Sequence, residues 1–320
     1  MTANNPHSIH LVREYDAPVQ VVWDAWTDPE QVAKWWGPRG FSIKTHAKDL
    51  KPGGFWKYTM YGPDGTEFEN KTIYHEVEAC KKLVYDHGGS DDRPPLFRVT
   101  VLFSETDGKT TMDMTMAMST AEEVLAIKKI IKDAGGNSTW DRLAEYLGEH
   151  QNNRNCFVIN RSFEAPPAKV FEMWIDPNHL AKWLPPASFA VEFLEINIAE
   201  GRSTTYRMTN HKDMTFYGQF DYREIKRHSR LVYVQRFCDE KGNLAHHPAM
   251  PEFPSEFINT ITFTPEGEQS TRLTLTSEPF SQATAAEVAA FKEARSSMTQ
   301  GWTGSFDALE NMLATGGKVS

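Results

Sequence analysis

His246 and His247 stand side by side in a stretch that also holds Asp239, Glu240 and Glu252, the side-chain types that ligate a transition metal. Adjacent residues do not present two ligands on one face, and a metal site needs a fixed spacing that turns several side chains to one point. No metal is expected from this pair. His87, in "LVYDHGG", belongs to the residue type that most often serves as a general base. A lone strand histidine is first of all a satisfied or exposed side chain, so no catalytic role is assigned to it. The chain also lacks G-x-S-x-G, a P-loop, a Rossmann glycine fingerprint, H-E-x-x-H and C-x-x-C. Hydrolase, NTPase and dehydrogenase readings lose their usual support, and no cofactor is expected.

What the sequence offers instead is apolar surface. Met112, Met114, Met116 and Met118 alternate along "KTTMDMTMAMS" and so share one strand face. Methionine is flexible and polarizable, which suits either an irregular core or a cavity wall that adapts to variable shapes. Both readings stay open. Trp56, Tyr58, Met60 and Tyr85 on neighbouring strands would extend such a wall, with few polar handles. Asn259 lies between Phe257 and Ile261 on the inward face of its strand, where an amide needs backbone, water or ligand as partner.

These residues are positioned by elements that occur twice. "DPEQVAKWWGP" at 28–38 returns as "DPNHLAKWLPP" at 176–186, and shifting residues 12–41 by 148 positions gives 12 identities in 30. The register continues through Gly53/Gly201, Tyr58/Tyr206, Met60/Met208, Tyr74/Tyr222 and "LVY" at 83–85 and 231–233, which sets His87 opposite Gln235. It then jumps at a longer loop in the second copy, Asp239 to Pro254. The chain is a tandem duplication, with one domain over 1–150, a second over 155–320 and a polar joint, "GEHQNNRN", between them. A joint this short predicts that the two domains pack on each other as a pseudo-dimer.

Each copy reads as a strand, two short helices, about six strands and a closing helical region. Ile9, Leu11, Arg13 and Tyr15 fall on one face of the first strand, matched by Phe157, Ile159, Arg161 and Phe163. Pro18 and Pro166 are expected at the first helical position. Asp28 reads as an N-cap with Pro29 behind it, and Trp26, Trp35, Trp174 and Trp183 fall at helical packing spacing, as anchors of a core. Period-two segments separated by Gly, Pro and Asp then indicate an antiparallel meander. The helical regions are "TAEEVLAIKKIIKDAGG" with "STWDRLAEYL", and "TAAEVAAFKEARSS" with "GWTGSFDALENML". The fold class is α+β.

Composition narrows the partners. A formal charge of -9 without a concentrated Lys/Arg block argues against nucleic acid or an anionic membrane surface. No run approaches the roughly 18 apolar residues of a membrane span, and the N-terminus lacks a secretory layout, so a cytoplasmic location is expected. Cys80, Cys156 and Cys238 are odd in number and far apart, which reads as free thiols.

The pattern "R…(D/E)AP…V…W…DP…AKW…P…F", the "YTM" or "YRM" strand, the "LVY" strand and the terminal "GW….L…L" helix resemble the activator-of-heat-shock-protein-90-ATPase homologue (AHSA) family, of the START/Bet v 1-like helix-grip superfamily (SRPBCC). The resemblance implies, once per half, a curved antiparallel sheet gripping a long C-terminal helix, with two small helices plugging one end and a cavity between. It also implies a small apolar or amphipathic ligand. The copies differ where "GGNSTW" faces "GWTGSF" and where Ser203 and Thr204 replace Phe55 and Trp56, so their cavities should differ. In the first, Met112, Met114 and Met116 with Trp56, Tyr58, Met60, Tyr85 and His87 are the expected ligand wall. In the second, Tyr206, Met208, Tyr233, Gln235 and Asn259, with Leu273 and Leu275 in place of methionine, imply a more polar ligand or none. Two other functions follow from the same resemblance: a polyketide-cyclase or hydrolase type of enzyme, and a stress-response co-chaperone acting on heat-shock protein 90. Characterised activators pair one such domain with a different N-terminal domain, which weakens the latter.

Overall fold

Period-two alternation becomes a seven-stranded antiparallel sheet twice over in the computed structural model, which describes residues 6–133, 138–150, 156–186, 188–210, 214–280 and 282–315. The chain divides into two units, Met1–Asn152 and Asn153–Ser320. The first holds β1 (Ser8–Tyr15), α1 (Val19–Thr27), α2 (Pro29–Trp35), β2 (Ser42–Lys48), β3 (Phe55–Tyr61), β4 (Glu67–Glu78), β5 (Lys82–Gly89), β6 (Phe97–Thr106), β7 (Lys109–Ala117), α3 (Ala121–Asp133) and α4 (Ser138–His150). The second repeats the order with β8 (Phe157–Phe163), α5 (Pro167–Ile175), α6 (Pro177–Trp183), β9 (Phe189–Glu195), β10 (Ser203–Asn210), β11 (Thr215–Lys226), β12 (Arg230–Cys238), β13 (Glu256–Gly267), β14 (Ser270–Pro279) and α7 (Ala285–Ala314).

Both sheets have the same order, β1-β7-β6-β5-β4-β3-β2 and β8-β14-β13-β12-β11-β10-β9. Hairpins join the last six strands of each, and the first strand returns beside the last. Register pairs Leu11 with Met114 and Arg13 with Met112, so the methionine face of β7 continues the inward face of β1. Register shifts at Tyr74/Glu76 and at Tyr222/Glu224 mark bulges at matching points of the two copies. Bulges bend a strand and strengthen its twist, which curves each sheet toward its helices.

Between the first two strands of each domain the short helices are fastened in the same way. The Trp35 indole N–H donates to the Ala25 carbonyl at 2.9 Å, and Trp183 donates to Met173 at 2.9 Å. Thr110 Oγ1 donates to the Ala17 carbonyl at 2.6 Å, and Thr271 to that of Ala165 at 2.7 Å. Asp28 caps α2, accepting from the backbone N–H groups of Glu30 and Gln31 at 2.8 and 3.2 Å, and those bonds hold its carboxyl below the usual range. Asp28→Ala is expected to cost about 1 kcal/mol in urea denaturation, the ordinary worth of an N-cap, and a change under a few tenths would contradict that role. Pro18 and Pro166 are N-caps, one residue earlier than the sequence reading placed them, because their ψ of 148° and 154° is extended. A proline cap has no side-chain acceptor, and the first N–H of α1, from Val19, is served instead by Glu105 at 2.8 Å.

The closing helices depart from the expected pattern. The second domain has one continuous helix, α7, while the first has two, α3 and α4, with residues 134–137 outside the described chain. Trp140 of α4 stacks on Trp26 with centroids 5.2 Å apart, as Trp302 of α7 stacks on Trp174 at 6.1 Å. Trp140 therefore matches Trp302 and not Phe306, one helical turn away from the "GGNSTW"/"GWTGSF" juxtaposition. Arg142 of α4 reaches the carbonyls of Lys34, Gly37 and Pro38 at 3.1, 2.8 and 2.9 Å and so caps the C-terminal end of α2. Its counterpart by the tryptophan match is Gly304, where an added Cβ would meet nothing within 4 Å. Gly304→Ala should raise the stability of the second domain by roughly 0.5–1 kcal/mol, read from thermal unfolding, since glycine inside a helix costs about that much against alanine.

Candidate ligand cavity

In the second domain the concave face of the sheet does not close on α7. A cavity of about 240 Å³ remains, walled by Tyr206 and Met208 of β10, Phe216 and Phe220 of β11, Gln235 and Phe237 of β12, and Phe257 of β13. Met298, Gly301, Trp302 and Ser305 of α7 face them, and Leu184 and Pro186 stand at the end of α6. The remaining wall comes from the loop inserted between β12 and β13, which contributes His247, Met250 and Phe253. Phe253 anchors that loop, its ring 5.5 Å from Phe291 of α7 and 5.7 Å from Phe257. His246 and His247 diverge. His246 shares a hydrogen bond with Ser255 at 3.0 Å, while His247 packs against Phe216 at 4.7 Å and Phe237 at 5.1 Å. Among the described residues no group of three or more His, Cys, Asp or Glu side chains could hold a metal ion.

Local sequence sets the shape of this wall. Tyr206 pairs with Gly218 across the β10–β11 register, and a Cβ on Gly218 would lie 2.3 Å from the Tyr206 ring. Only glycine allows the ring to lie there. Two pairs along, on the same face, Thr204 faces Phe220, where the first domain pairs Trp56 with Thr72. The large side chain has changed strands, so the loss of Trp56 in the second copy is offset by Phe220. Phe220 then stacks near Tyr206, with centroids 4.7 Å apart.

The inward amide finds its partners within the domain. Ser277 donates to Asn259 Oδ1, Asn259 donates to Gln235 Oε1 at 3.4 Å, and Gln235 donates to the Tyr206 oxygen at 2.8 Å. Of the residues expected in this domain's site, Tyr206, Met208 and Gln235 reach the cavity. Tyr233 and Asn259 are buried and do not line it.

The first domain brings its expected residues into one cluster. Trp56, Tyr58, Tyr85, Met112, Met114 and Met116 are buried together, with Met60 packed against them. Trp36 holds the centre, donating its indole N–H to the Tyr58 hydroxyl at 3.1 Å, with its ring 5.3 Å from Trp56 and 6.1 Å from His87. Its counterpart in the repeat is Leu184, which frees the corresponding space beside Tyr206. The His87 imidazole has no hydrogen-bond partner among the described residues, and burial pushes its pKa down to about 4. The imidazole is neutral at physiological pH. Lys48, not singled out by the sequence, places Nζ 3.1 Å from the Trp26 carbonyl and 4.4 Å above the Trp56 ring. Burial lowers its pKa to about 7 against the pull of Asp28.

A curved antiparallel sheet carrying two small helices at one end and a helix across its concave face defines a helix-grip α+β domain, here present twice. The family described as "Activator of Hsp90 ATPase homolog 1-like protein" matches residues 16–148 and again 164–314, and the chain belongs to it. The chain is similar to a crystal structure of a protein from Nitrosomonas europaea, at 25% identity over 46% of this chain and 98% of that one, with a TM-score of 0.42. It is similar to a solution structure of a protein from Arthrobacter aurescens at 26% identity over 46% of this chain and 89% of that one, TM-score 0.42. DynU16, a protein of the dynemicin biosynthetic locus, aligns over 95% of this chain and 98% of its own at 18% identity, TM-score 0.34. Comparison with curated proteins gives no match. Among the described residues no helix is long and apolar enough to cross a membrane.

Proposed function

We propose that the second domain binds a small apolar or amphipathic molecule between its sheet and α7. The observation that supports this reading is the cavity of about 240 Å³, walled mostly by aromatic and methionine side chains, with Tyr206, Gln235, His247, Ser305 and the Trp302 indole N–H as its polar handles. Concave, mostly apolar space with a few placed polar groups is the usual form of a small-molecule site. A second such site in the first domain, against Met112, Met114 and Met116, would require that buried cluster to open around the ligand.

A neutral fluorescent probe, N-phenyl-1-naphthylamine, tests both. Gly301 lines the cavity, and an added Cβ there would meet nothing within 4 Å, so Gly301→Leu grows into the empty space. Probe affinity should fall at least roughly tenfold while thermal stability holds or rises, because leucine is the better helix former. Undiminished binding in Gly301→Leu sinks the second-domain site. Loss of binding in a Met112→Leu/Met114→Leu/Met116→Leu variant, a volume-conserving change, assigns the probe to the first domain instead. A non-denaturing mass spectrum of the purified chain would show a retained apolar molecule directly.

A further inference from the structure

The polar groups of the second-domain cavity are arranged with a direction. Along the chain from Ser277 through Asn259 and Gln235, each amide accepts on oxygen and donates from nitrogen, and the last acceptor is the Tyr206 oxygen. That oxygen already accepts a hydrogen bond, so the Tyr206 O–H is the free end of the chain, and no acceptor for it is found among the described residues. His247 is oriented to the same effect. Its Nδ1 accepts the backbone N–H of Ala249 at 3.2 Å, which leaves the proton of the neutral ring on Nε2. Burial lowers the His247 pKa, which favours the neutral ring. Ser305 is satisfied, donating to the Leu184 carbonyl at 3.0 Å. The cavity thus offers two donors without an acceptor, with the Ser305 oxygen as an acceptor apart from them, and no Asp, Glu, Lys or Arg lines it.

We propose that this cavity selects neutral molecules carrying a carbonyl oxygen, a ketone, quinone or ester, held by the Tyr206 O–H and the His247 Nε2–H. The inference rests on the cavity being a ligand site and adds the chemistry of the ligand. An acceptor oxygen offers these donors the partner they lack, whereas an ionised ligand would enter a space with no opposite charge to meet it. The device belongs to the second domain alone. In the first, His87, Val99 and Met116 stand where Gln235, Asn259 and Ser277 form the chain, and the loop that carries His247 is absent.

Three ligands of one shape separate the possibilities on the full chain: 2-acetylnaphthalene, its isostere 2-isopropenylnaphthalene, in which C=CH2 replaces C=O, and 2-naphthoate. The ketone is expected to bind roughly tenfold or more tightly than the alkene, with naphthoate the weakest. Tyr206→Phe, which keeps the ring, and His247→Phe, which puts a phenyl in place of the imidazole, remove the donors and should each shrink the ketone's advantage and leave alkene affinity in place. Equal binding of ketone and alkene overturns the donor proposal and leaves the cavity as an apolar site. Failure of both neutral ligands to bind overturns the cavity reading itself. If a variant loses the alkene through misfolding, the carbonyl stretch of the ketone bound to the unaltered protein decides. A frequency below that in an apolar solvent supports the two donors, and an unshifted one overturns them.

Discussion

Trp35→Ala and Trp183→Ala each lower the stability of their own domain by roughly 3–5 kcal/mol, the range for large buried aromatics truncated in a core. Both side chains are fully buried at 0% exposure. Each indole meets a second tryptophan edge-on, Trp35 with Trp26 at 5.5 Å and Trp183 with Trp174 at 4.7 Å. Each also supplies the hydrogen bond that ties the second short helix to the first, so truncation leaves a void and a buried carbonyl without its donor. Urea denaturation followed by far-ultraviolet circular dichroism should show the matching domain's transition move while the other stays. Trp35→Phe, which keeps much of the volume and loses the N–H, should cost less. A Trp35→Ala protein within about 1 kcal/mol of the parent would mean that the indole serves something other than packing.

Acidification destabilises the first domain through His87. In the unfolded chain the imidazole takes a proton near pH 6.5, while in the folded domain burial holds its pKa near 4. Between those values the unfolded state binds the extra proton, so stability is full above pH 6.5 and falls as pH drops toward 4. The loss over that window is at most roughly 3.5 kcal/mol, an upper bound because His87 is only half-buried. Trp36, Tyr85 and Phe97 surround the ring, and none of them changes charge in the window. His87→Gln, which installs the residue that the second copy carries at this position, should flatten the profile of the first domain between pH 6.5 and 4. An unchanged profile in that variant would show that the imidazole is protonated in the folded state after all.

The parts of the molecule legible in sequence are those governed by local rules. Asp28 and Asp176 before proline announce two helix starts, and the spacing of Trp26 and Trp35 announces which faces are buried, because capping and helical period act over a few residues. The alternation in β7 likewise places Met112, Met114 and Met116 on the inward face, where they lie. The displaced helix starts at Pro18 and Pro166 show the limit of such rules, since a one-residue shift depends on the ψ adopted there and on Glu105 arriving from a distant strand.

The cavity obeyed no local rule. Phe220 compensates for Thr204 from the neighbouring strand, and Gly218 makes room for Tyr206 across a register that sequence separation hides. His246 and His247 read as a pair of metal ligands or as nothing, yet one faces Ser255 and the other closes a chamber of phenylalanines. A hint was present in Met250 and Phe253, apolar residues in a long loop, which need something to cover. Duplication, the antiparallel meander and the anchoring tryptophans were thus determined by the sequence itself, through periodicity and repetition. Where space remains inside each domain was decided by tertiary structure alone, because a void depends on which side chains meet across strands and helices far apart in the chain, and a single exchange such as Trp36 for Leu184 opens or fills it.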